Sequence, residues 1–315
     1  MKAPATECVS GNGMTGSTPA KRLRVGIIAR RAICVLAVAI LWMNTGSATS
    51  SAENRPLQIV SINACTDQLL YALAEREQIA ALTHYSVEDD YSIFAGEIRK
   101  SGIRRIQGSA EEVLKLKPDL VLAGTYTRQA TRDLLERYGV RVELFPPARN
   151  IAGSEEAIRR VAKLTGNSEK GEALIERIEH ALKAQASIRA KAPNLLQLQR
   201  GGYVSGPETL IGDMLSRLGA RNAASGLGVE RLGVTSLEMA LKLQADGLVL
   251  FDPYAKATDQ GSAMLLHSAL RAIYPPERRI VIPGRLVICG GPSLPEAITE
   301  LRHQLYVFAA KRRAG

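Results

Sequence analysis

The sequence predicts an α/β fold of two lobes that are connected by a helical segment. From residue 57 onward, short apolar runs alternate with amphipathic stretches; residues 154–191 show only helical spacing; and the alternation resumes after Pro193. Strands that alternate with helices are typical of parallel sheets. We therefore expect an N-terminal lobe at 57–150, bridging helices at 154–191 and a C-terminal lobe at 194–311.

The N-terminal lobe is predicted to contain four strands, at 57–62, 79–84, 119–123 and 141–145. Predicted helices lie between them at 66–75, 110–116 and 128–138. Gly108 and Gly139 separate these units, and Pro118 stands where a helix must end and a strand begin.

The bridging segment carries apolar residues at helical spacing, including Ile158, Val161, Ile175 and Ile178, with a break at 165–167. A second helix from Ser168 to about residue 190 would be roughly 30 Å long, which is enough to join two lobes. Beyond it we expect strands at 195–199, 247–251 and 279–282, with helices at 208–218, 236–243 and 293–310.

The N-terminal 52 residues have the pattern of an export signal. Five basic residues between Lys21 and Arg31 precede the apolar run AICVLAVAILWM at 32–43, and small residues follow near Ala48 and Ala52. The run is shorter than the roughly 20 residues that span a bilayer, so we expect cleavage near Ala48 or Ala52 and a periplasmic protein. Cys34 begins the apolar run instead of following it, which disfavours a lipid anchor; ordinary secretion and twin-arginine export both remain open.

Most of the apparent basicity belongs to this leader. The whole chain has a formal charge of +10, but six Lys or Arg residues and one Glu lie in the first 52 positions, so the remainder is +5. No concentrated basic stripe with interleaved aromatic residues remains, and a nucleic-acid partner is therefore not expected.

Two segments of the chain align with each other without a gap. EEVLKLKPDLVL, which starts at Glu111, and EMALKLQADGLV, which starts at Glu238, share five identical residues. Each copy is a short helix that begins with a carboxylate and runs into a buried strand. An internal repeat is one interpretation; the other is that helix-to-strand units look alike and that acids at helix starts merely complement the helix dipole.

The segment QIVSIN at 58–63, the THYS stretch at 83–86 and the two repeat segments occur in a fixed order. Together they resemble the periplasmic binding proteins that deliver iron-siderophores, haem and cobalamin to ABC importers. The resemblance extends from about Leu57 to the C-terminus, and it departs from the family pattern at Ala245, where proline is frequent.

This resemblance implies two Rossmann-like lobes joined by a long helix, a monomer without a resident cofactor, and a metal chelate or corrinoid held between the lobes. It also implies a dimeric permease in the inner membrane as partner. Glu111 and Glu238 fall on the family's docking positions, one on each lobe. Two exposed carboxylates would orient the receptor on its permease.

Ligands of open parallel sheets bind beyond the carboxyl ends of the strands. That rule places several polar and aromatic residues around a common cleft, and the resemblance adds that Tyr85 matches a ligand-facing position. Tyrosines offer flat surfaces with a hydroxyl group, and arginines pair with anionic groups of a chelate. The candidate ligand-binding residues are Asn63, Tyr85, Tyr126, Tyr203, Arg231, Tyr254 and Arg285.

Cys65 and Cys289 are the two cysteines beyond the leader, at predicted strand ends of opposite lobes. A pair in an oxidising compartment predicts a disulfide. Two unpaired buried thiols and thiolates that coordinate the metal of the ligand are the alternatives, because sequence does not show whether their Cα atoms lie within about 7 Å.

Two other functions remain as alternatives. A receptor for a free transition metal needs converging His and carboxylate ligands, but His84, His180, His267 and His303 are scattered. An α/β enzyme would need a catalytic motif. Beyond the 52-residue leader, neither a G-x-G-x-x-G or P-loop phosphate motif nor a G-x-S-x-G elbow is present, so we expect no catalytic residues and no protein-held metal.

Overall fold

A five-stranded parallel sheet with strand order β3-β2-β1-β4-β5 forms the first lobe in the computed structural model, which describes residues 55–184, 192–252 and 260–314. Every residue of β4 is buried, as expected for a central strand that helices cover on both faces. The strands are β1 Ile59–Ser61, β2 Ile79–Thr83, β3 Arg105–Ile106, β4 Leu120–Gly124 and β5 Arg141–Phe145; the helices are α1 Ala64–Leu73, α2 Ala95–Lys100, α3 Ala110–Lys115 and α4 Gln129–Arg137.

Two helices follow the first lobe, α5 Ile151–Thr165 and α6 Ser168–Lys183. Gly166 ends α5 in the left-handed conformation at φ 76°, so the break predicted at 165–167 is confirmed. Gly171 lets α6 approach α5 closely, because a Cβ at this position would lie 2.6 Å from the Cβ of Ala162. The 16 residues of α6 span about 24 Å. The predicted end of this helix near residue 190 lies outside the described residues.

The second lobe contains a four-stranded parallel sheet with strand order β11-β10-β6-β8 within the described residues. An antiparallel pair, β7 with β9, accompanies it. The strands are β6 Asn194–Gln197, β7 Tyr203–Ser205, β8 Arg221–Asn222, β9 Leu232–Val234, β10 Gly247–Asp252 and β11 Arg279–Pro283; the helices are α7 Leu210–Arg217, α8 Leu237–Lys242, α9 Gln260–Leu266, α10 Ser268–Ile273, α11 Gly284–Val287 and α12 Leu294–Ala314.

One hydrophobic core extends through both lobes. Ile59 of the first sheet, Ile158 and Ile178 of the connecting helices, and Leu195 and Ile280 of the second sheet belong to the same buried cluster. Helix α5 packs on α1, and α6 packs on α12. Because apolar packing is continuous across the connection, the two lobes are held against each other by more than a covalent link.

The internal repeat is visible in backbone detail. Lys117 and Gln244 stand at the same position of the two copies and are the non-glycine residues with positive φ in the described chain, each at 48°. Two residues further on, Asp119 Oδ2 accepts a 2.7 Å hydrogen bond from Gln58 N, and Asp246 Oδ2 accepts one of 2.7 Å from Asn194 N. Two unrelated helix-to-strand units would not be expected to share both the positive φ and the aspartate hydrogen bond at equivalent positions. The two lobes therefore contain the same structural unit.

Ala245 takes the place of Pro118 in the second copy, and the structure supplies a partner for the N–H group that proline lacks. The Ala245 N–H donates to the hydroxyl oxygen of Tyr274 over 3.1 Å, and that hydroxyl donates to Ala240 O over 3.2 Å. Tyr274 is completely buried. The departure from the family pattern is therefore accommodated inside the core without an unsatisfied donor.

Candidate functional site

A crevice lies between the lobes at the carboxyl ends of β1 and β4. In the first sheet, β1 is flanked by β2 and β4, and the chain order reverses between β1 and β4. Ligands of open α/β sheets bind at such a switch point. The crevice has a volume of about 190 Å³. Its lining residues are Asn63, Cys65, Thr66, Leu69, Gly124, Thr125, Tyr126, Phe145, Pro146, Pro147, Ala148, Ser154, Ala157, Ile288, Cys289, Gly290 and Gly291.

A disulfide between Cys65 and Cys289 forms part of the crevice lining. The two Cα atoms are 5.3 Å apart, although 224 residues separate the cysteines in sequence. Cys65 lies in the first turn of α1, and Cys289 follows α11. The bridge therefore joins the first lobe to the second within the lining of the crevice.

Asn63 lines the crevice and also begins helix α1. Its Oδ1 accepts hydrogen bonds from Cys65 N at 2.9 Å and from Thr66 N at 3.3 Å. Asparagine is a favoured N-cap because its side-chain oxygen meets free N–H groups of the first turn. The cap fixes the orientation of the amide, so Nδ2 points away from the helix, toward Gly124, where a Cβ would lie 2.8 Å from it.

Ser154 is a second polar group in the crevice, and it lies on α5. Its side chain is 1% exposed, and its Oγ has no hydrogen-bond partner in the described structure. The residue packs against Gly290 of the other lobe, where a Cβ would come within 2.6 Å of Ser154 Oγ. A buried hydroxyl without a partner is rare in native proteins.

Tyr85 lies at the carboxyl end of β2, outside the crevice lining, in a cluster of aromatic rings. Its ring centroid is 3.9 Å from that of His84 and 5.1 Å from that of Tyr91. Tyr85 and Tyr91 are about equally exposed. Tyr126, in contrast, lines the crevice and is 87% exposed, which places it at the mouth.

The remaining ligand-binding candidates are dispersed. Tyr203 is exposed on the β7–β9 pair, opposite Val234. Arg231 forms a 2.9 Å ion pair with Glu208. Arg285 is half-buried on α11. The pKa of Asp89, in the other lobe, is lowered chiefly by a hydrogen bond from Arg99, and the positive charge of Arg285 lowers it further. Tyr254 lies outside the described residues.

Sequence reasoning missed one wall of the crevice. Phe145, Pro146, Pro147 and Ala148 follow strand β5, and Ser154 starts the second turn of α5. The rule that ligands lie beyond strand ends also applies to β5, and the Pro146-Pro147 pair marked that end. Tyr91, whose ring contacts that of Tyr85, lies outside the crevice lining.

Glu111 and Glu238 occupy equivalent positions on α3 and α8. Each is the second residue of its helix, and a serine N-cap, Ser109 or Ser236, precedes each helix. Both glutamates are exposed. Hydrogen bonds from its own backbone N–H and from Ser109 lower the pKa of Glu111, which favours its charged form. Glu238 lies 2.6 Å from Lys242 in an exposed ion pair.

A buried carboxylic acid lies on α1, next in sequence to Thr66 of the crevice lining. Asp67 on α1 is completely buried, and burial raises the pKa of its carboxyl from 3.8 to about 7. Hydrogen bonds from Ser61 and from Thr83 oppose this rise in pKa. Thr83 Oγ1 lies 2.5 Å from Asp67 Oδ2, and Thr83 N lies 3.2 Å from each carboxyl oxygen.

Within the described residues, no three or more His, Cys, Asp or Glu side chains cluster in a way that could hold a metal ion. The described helices also include none with the length and hydropathy needed to cross a membrane.

Comparison with known proteins places this architecture in a family. The family model described as "Periplasmic binding protein" matches residues 59–265, which contain both repeat segments. The chain belongs to the periplasmic binding protein family. The predicted two-lobed α/β fold is therefore confirmed.

Individual relatives of this periplasmic binding protein are distant in sequence. It is 25% identical over 271 residues to an uncharacterized ABC transporter substrate-binding lipoprotein of Bacillus subtilis, covering 81% of each chain. It is 27% identical over 178 residues to a cobalamin-binding protein of Halobacterium salinarum, covering 55% of this chain and 47% of that protein.

A solved structure shares the fold. The apo form of the periplasmic heme-binding protein RhuT from Roseiflexus sp. RS-1 matches with a TM-score of 0.64 and 22% identity. The match covers 81% of this chain and 99% of that one.

Proposed function

We propose that this chain is the substrate-binding component of an ABC importer. On this proposal it captures an iron chelate (a siderophore or haem) or a corrinoid in the crevice between its lobes and delivers it to a membrane permease. The observation that carries the proposal is the crevice itself. The crevice lies at the switch point of the first sheet and is lined by residues of both lobes, and the chain is a member of the periplasmic binding protein family.

The names of the relatives support this ligand class. The Bacillus relative is named for an ABC transporter, the Halobacterium relative for cobalamin and the Roseiflexus structure for heme. The export-type leader supports a periplasmic location, with the mature chain beginning after the small residues near Ala52.

Glu111 and Glu238 are the proposed contacts to the permease. They stand at the same point of the same structural unit in the two lobes, so they are suited to a partner built from two similar subunits. The Glu238–Lys242 pair is compatible with this role, because an exposed ion pair of this kind contributes little to stability. An arginine of the permease can therefore take the place of Lys242 beside Glu238.

The lobes are expected to hold their relative position when ligand binds. The continuous core, the Cys65–Cys289 bridge and a 2.8 Å hydrogen bond from Ile151 N to Asp213 Oδ2 all link the two sides of the crevice. Hinge closure requires a few residues that absorb large backbone changes. A bridge at the ligand-binding surface restricts such a change.

The test is the identity of whatever copurifies with the protein after periplasmic expression. A ferric siderophore, a haem and a corrinoid each absorb visible light differently and have distinct masses. We expect one of them at close to one molecule per chain. Repeated preparations without a chelate, together with no saturable binding of any of the three classes, would refute the proposal; catalytic turnover of a substrate in the crevice would favour an enzyme instead.

A further inference from the structure

The walls of the crevice carry no charged side chain. Its lining residues, as far as the structure describes them, include no Asp, Glu, Lys, Arg or His. A formal charge that enters such a space loses its hydration and finds no counter-charge in the lining, which is unfavourable. The lining therefore discriminates against a ligand whose inserted part is ionised.

Two neutral hydrogen-bond donors belong to residues that line this uncharged space. The cap of α1 uses Asn63 Oδ1 and leaves Nδ2, which lies beside Gly124 of the crevice lining, outside the cap. Ser154 Oγ is buried and without a partner in the described structure. Both groups can be satisfied by one kind of ligand atom, a neutral carbonyl oxygen.

The volume of the crevice limits how much of a ligand it can hold. Sites for drug-sized ligands usually have about 300–1,000 Å³, whereas this crevice has about 190 Å³. A whole chelate does not fit, but one flat arm does. The rest of the ligand would lie at the mouth, where the exposed ring of Tyr126 offers an apolar surface.

We propose that the crevice selects a neutral chelate and receives an arm that bears amide or ester carbonyls, to which Asn63 Nδ2 and Ser154 Oγ donate. This inference rests on the proposed function and narrows its substrate class. It favours corrinoids with side-chain amides and uncharged ferric trihydroxamates over haem, which carries carboxylates, and over ferric tris-catecholates, which are trianions.

The test is equilibrium binding to the mature exported protein, with cyanocobalamin, an uncharged ferric trihydroxamate, haemin and a ferric tris-catecholate as probes. We expect at least one neutral probe to bind at least about 100-fold more tightly than either anionic probe. This factor corresponds to about 2.7 kcal/mol, less than the usual penalty of an unpaired buried charge.

Two variants test the donors. Ser154→Ala removes the hydroxyl, and we expect about tenfold weaker binding of the neutral probe, the effect of one lost hydrogen bond. The thermal stability of the ligand-free variant should not fall, because the removed group has no partner. Asn63→Asp keeps an N-cap acceptor but loses the amide donor, and it should also weaken binding at least tenfold. Ser101→Ala is the matched control: Ser101 Oγ donates to Ile98 O, outside the crevice, so affinity should not change.

The outcomes are distinguishable. Tighter binding of haemin or the catecholate than of both neutral probes would overturn this inference and leave the proposed function intact. Unchanged affinity in both Ser154→Ala and Asn63→Asp would also overturn it. Loss of stability in Ser154→Ala would assign the hydroxyl a structural role instead. No binding of any of the four probes would refute the proposed function and this inference together.

Discussion

The Cys65–Cys289 bridge predicts a large effect of reduction on stability. The bridge closes a loop of 224 residues, for which the chain-entropy model gives about 5 kcal/mol of stabilisation. We expect the Cys65→Ser/Cys289→Ser double variant to unfold at a lower urea concentration. With an m-value of about 3 kcal/mol/M, the midpoint should fall by roughly 1.5–2 M.

The assay is urea unfolding monitored by circular dichroism, because the single tryptophan, Trp42, lies in the predicted leader and would be removed with it. Wild-type protein in a thiol reductant serves as a second sample and should match the double variant. Thiol titration of unreduced, denatured wild-type protein should find no free thiol. Two free thiols would refute the bridge, and a midpoint shift near zero would refute the inference that it restrains the lobes.

Three further predictions concern docking, pH and export. The Glu111→Ala/Glu238→Ala double variant should bind ligand normally but stimulate the transporter ATPase poorly. If the two glutamates only complemented the helix dipoles, transport would be normal and each substitution would cost about 0.3–1 kcal/mol of stability. The Asp67 carboxyl keeps its proton to about pH 7 when folded but releases it near 3.8 when unfolded, so its contribution to stability falls by up to about 4 kcal/mol as pH rises through that window. Asp67→Asn should remove this decline in urea midpoints measured from pH 4.5 to 7.5. If the midpoints of wild type and variant changed equally with pH, the decline would not come from the Asp67 carboxyl. N-terminal sequencing of the exported protein should begin within residues 49–53; recovery of intact Cys34 would contradict cleavage.

Strands of five or six residues could be predicted from the sequence, and strands of two residues could not. Strand β5 has the predicted bounds, and β2 and β10 differ by one residue at one end. Strands β3 and β8 contain two residues each, too few for any alternation to be recognised. The start of α5 was placed at residue 154, three residues late, because the N-cap Asn150, whose Oδ1 accepts from Gly153 N, was not recognised as a helix start.

The candidate site was only partly accessible to sequence reasoning. Asn63 and Tyr126 were selected because they follow strands, and both line the crevice. Ser154 lies within a helix, where a serine carries no signal until tertiary contacts show it buried beside Gly290. Likewise, the ion pair between Arg231 and Glu208 depends on a contact between residues that are 23 positions apart. Contacts of this kind are set by the packing of elements, not by local pattern.

The structure of the mature protein with its bound chelate tests the central claim most directly. We predict that the ligand lies between the lobes, with one arm in the crevice within hydrogen-bond distance of Asn63 Nδ2 and Ser154 Oγ, and that the Cys65–Cys289 bridge is intact beside it. A chelate bound elsewhere on the protein, with the crevice empty, would contradict the account.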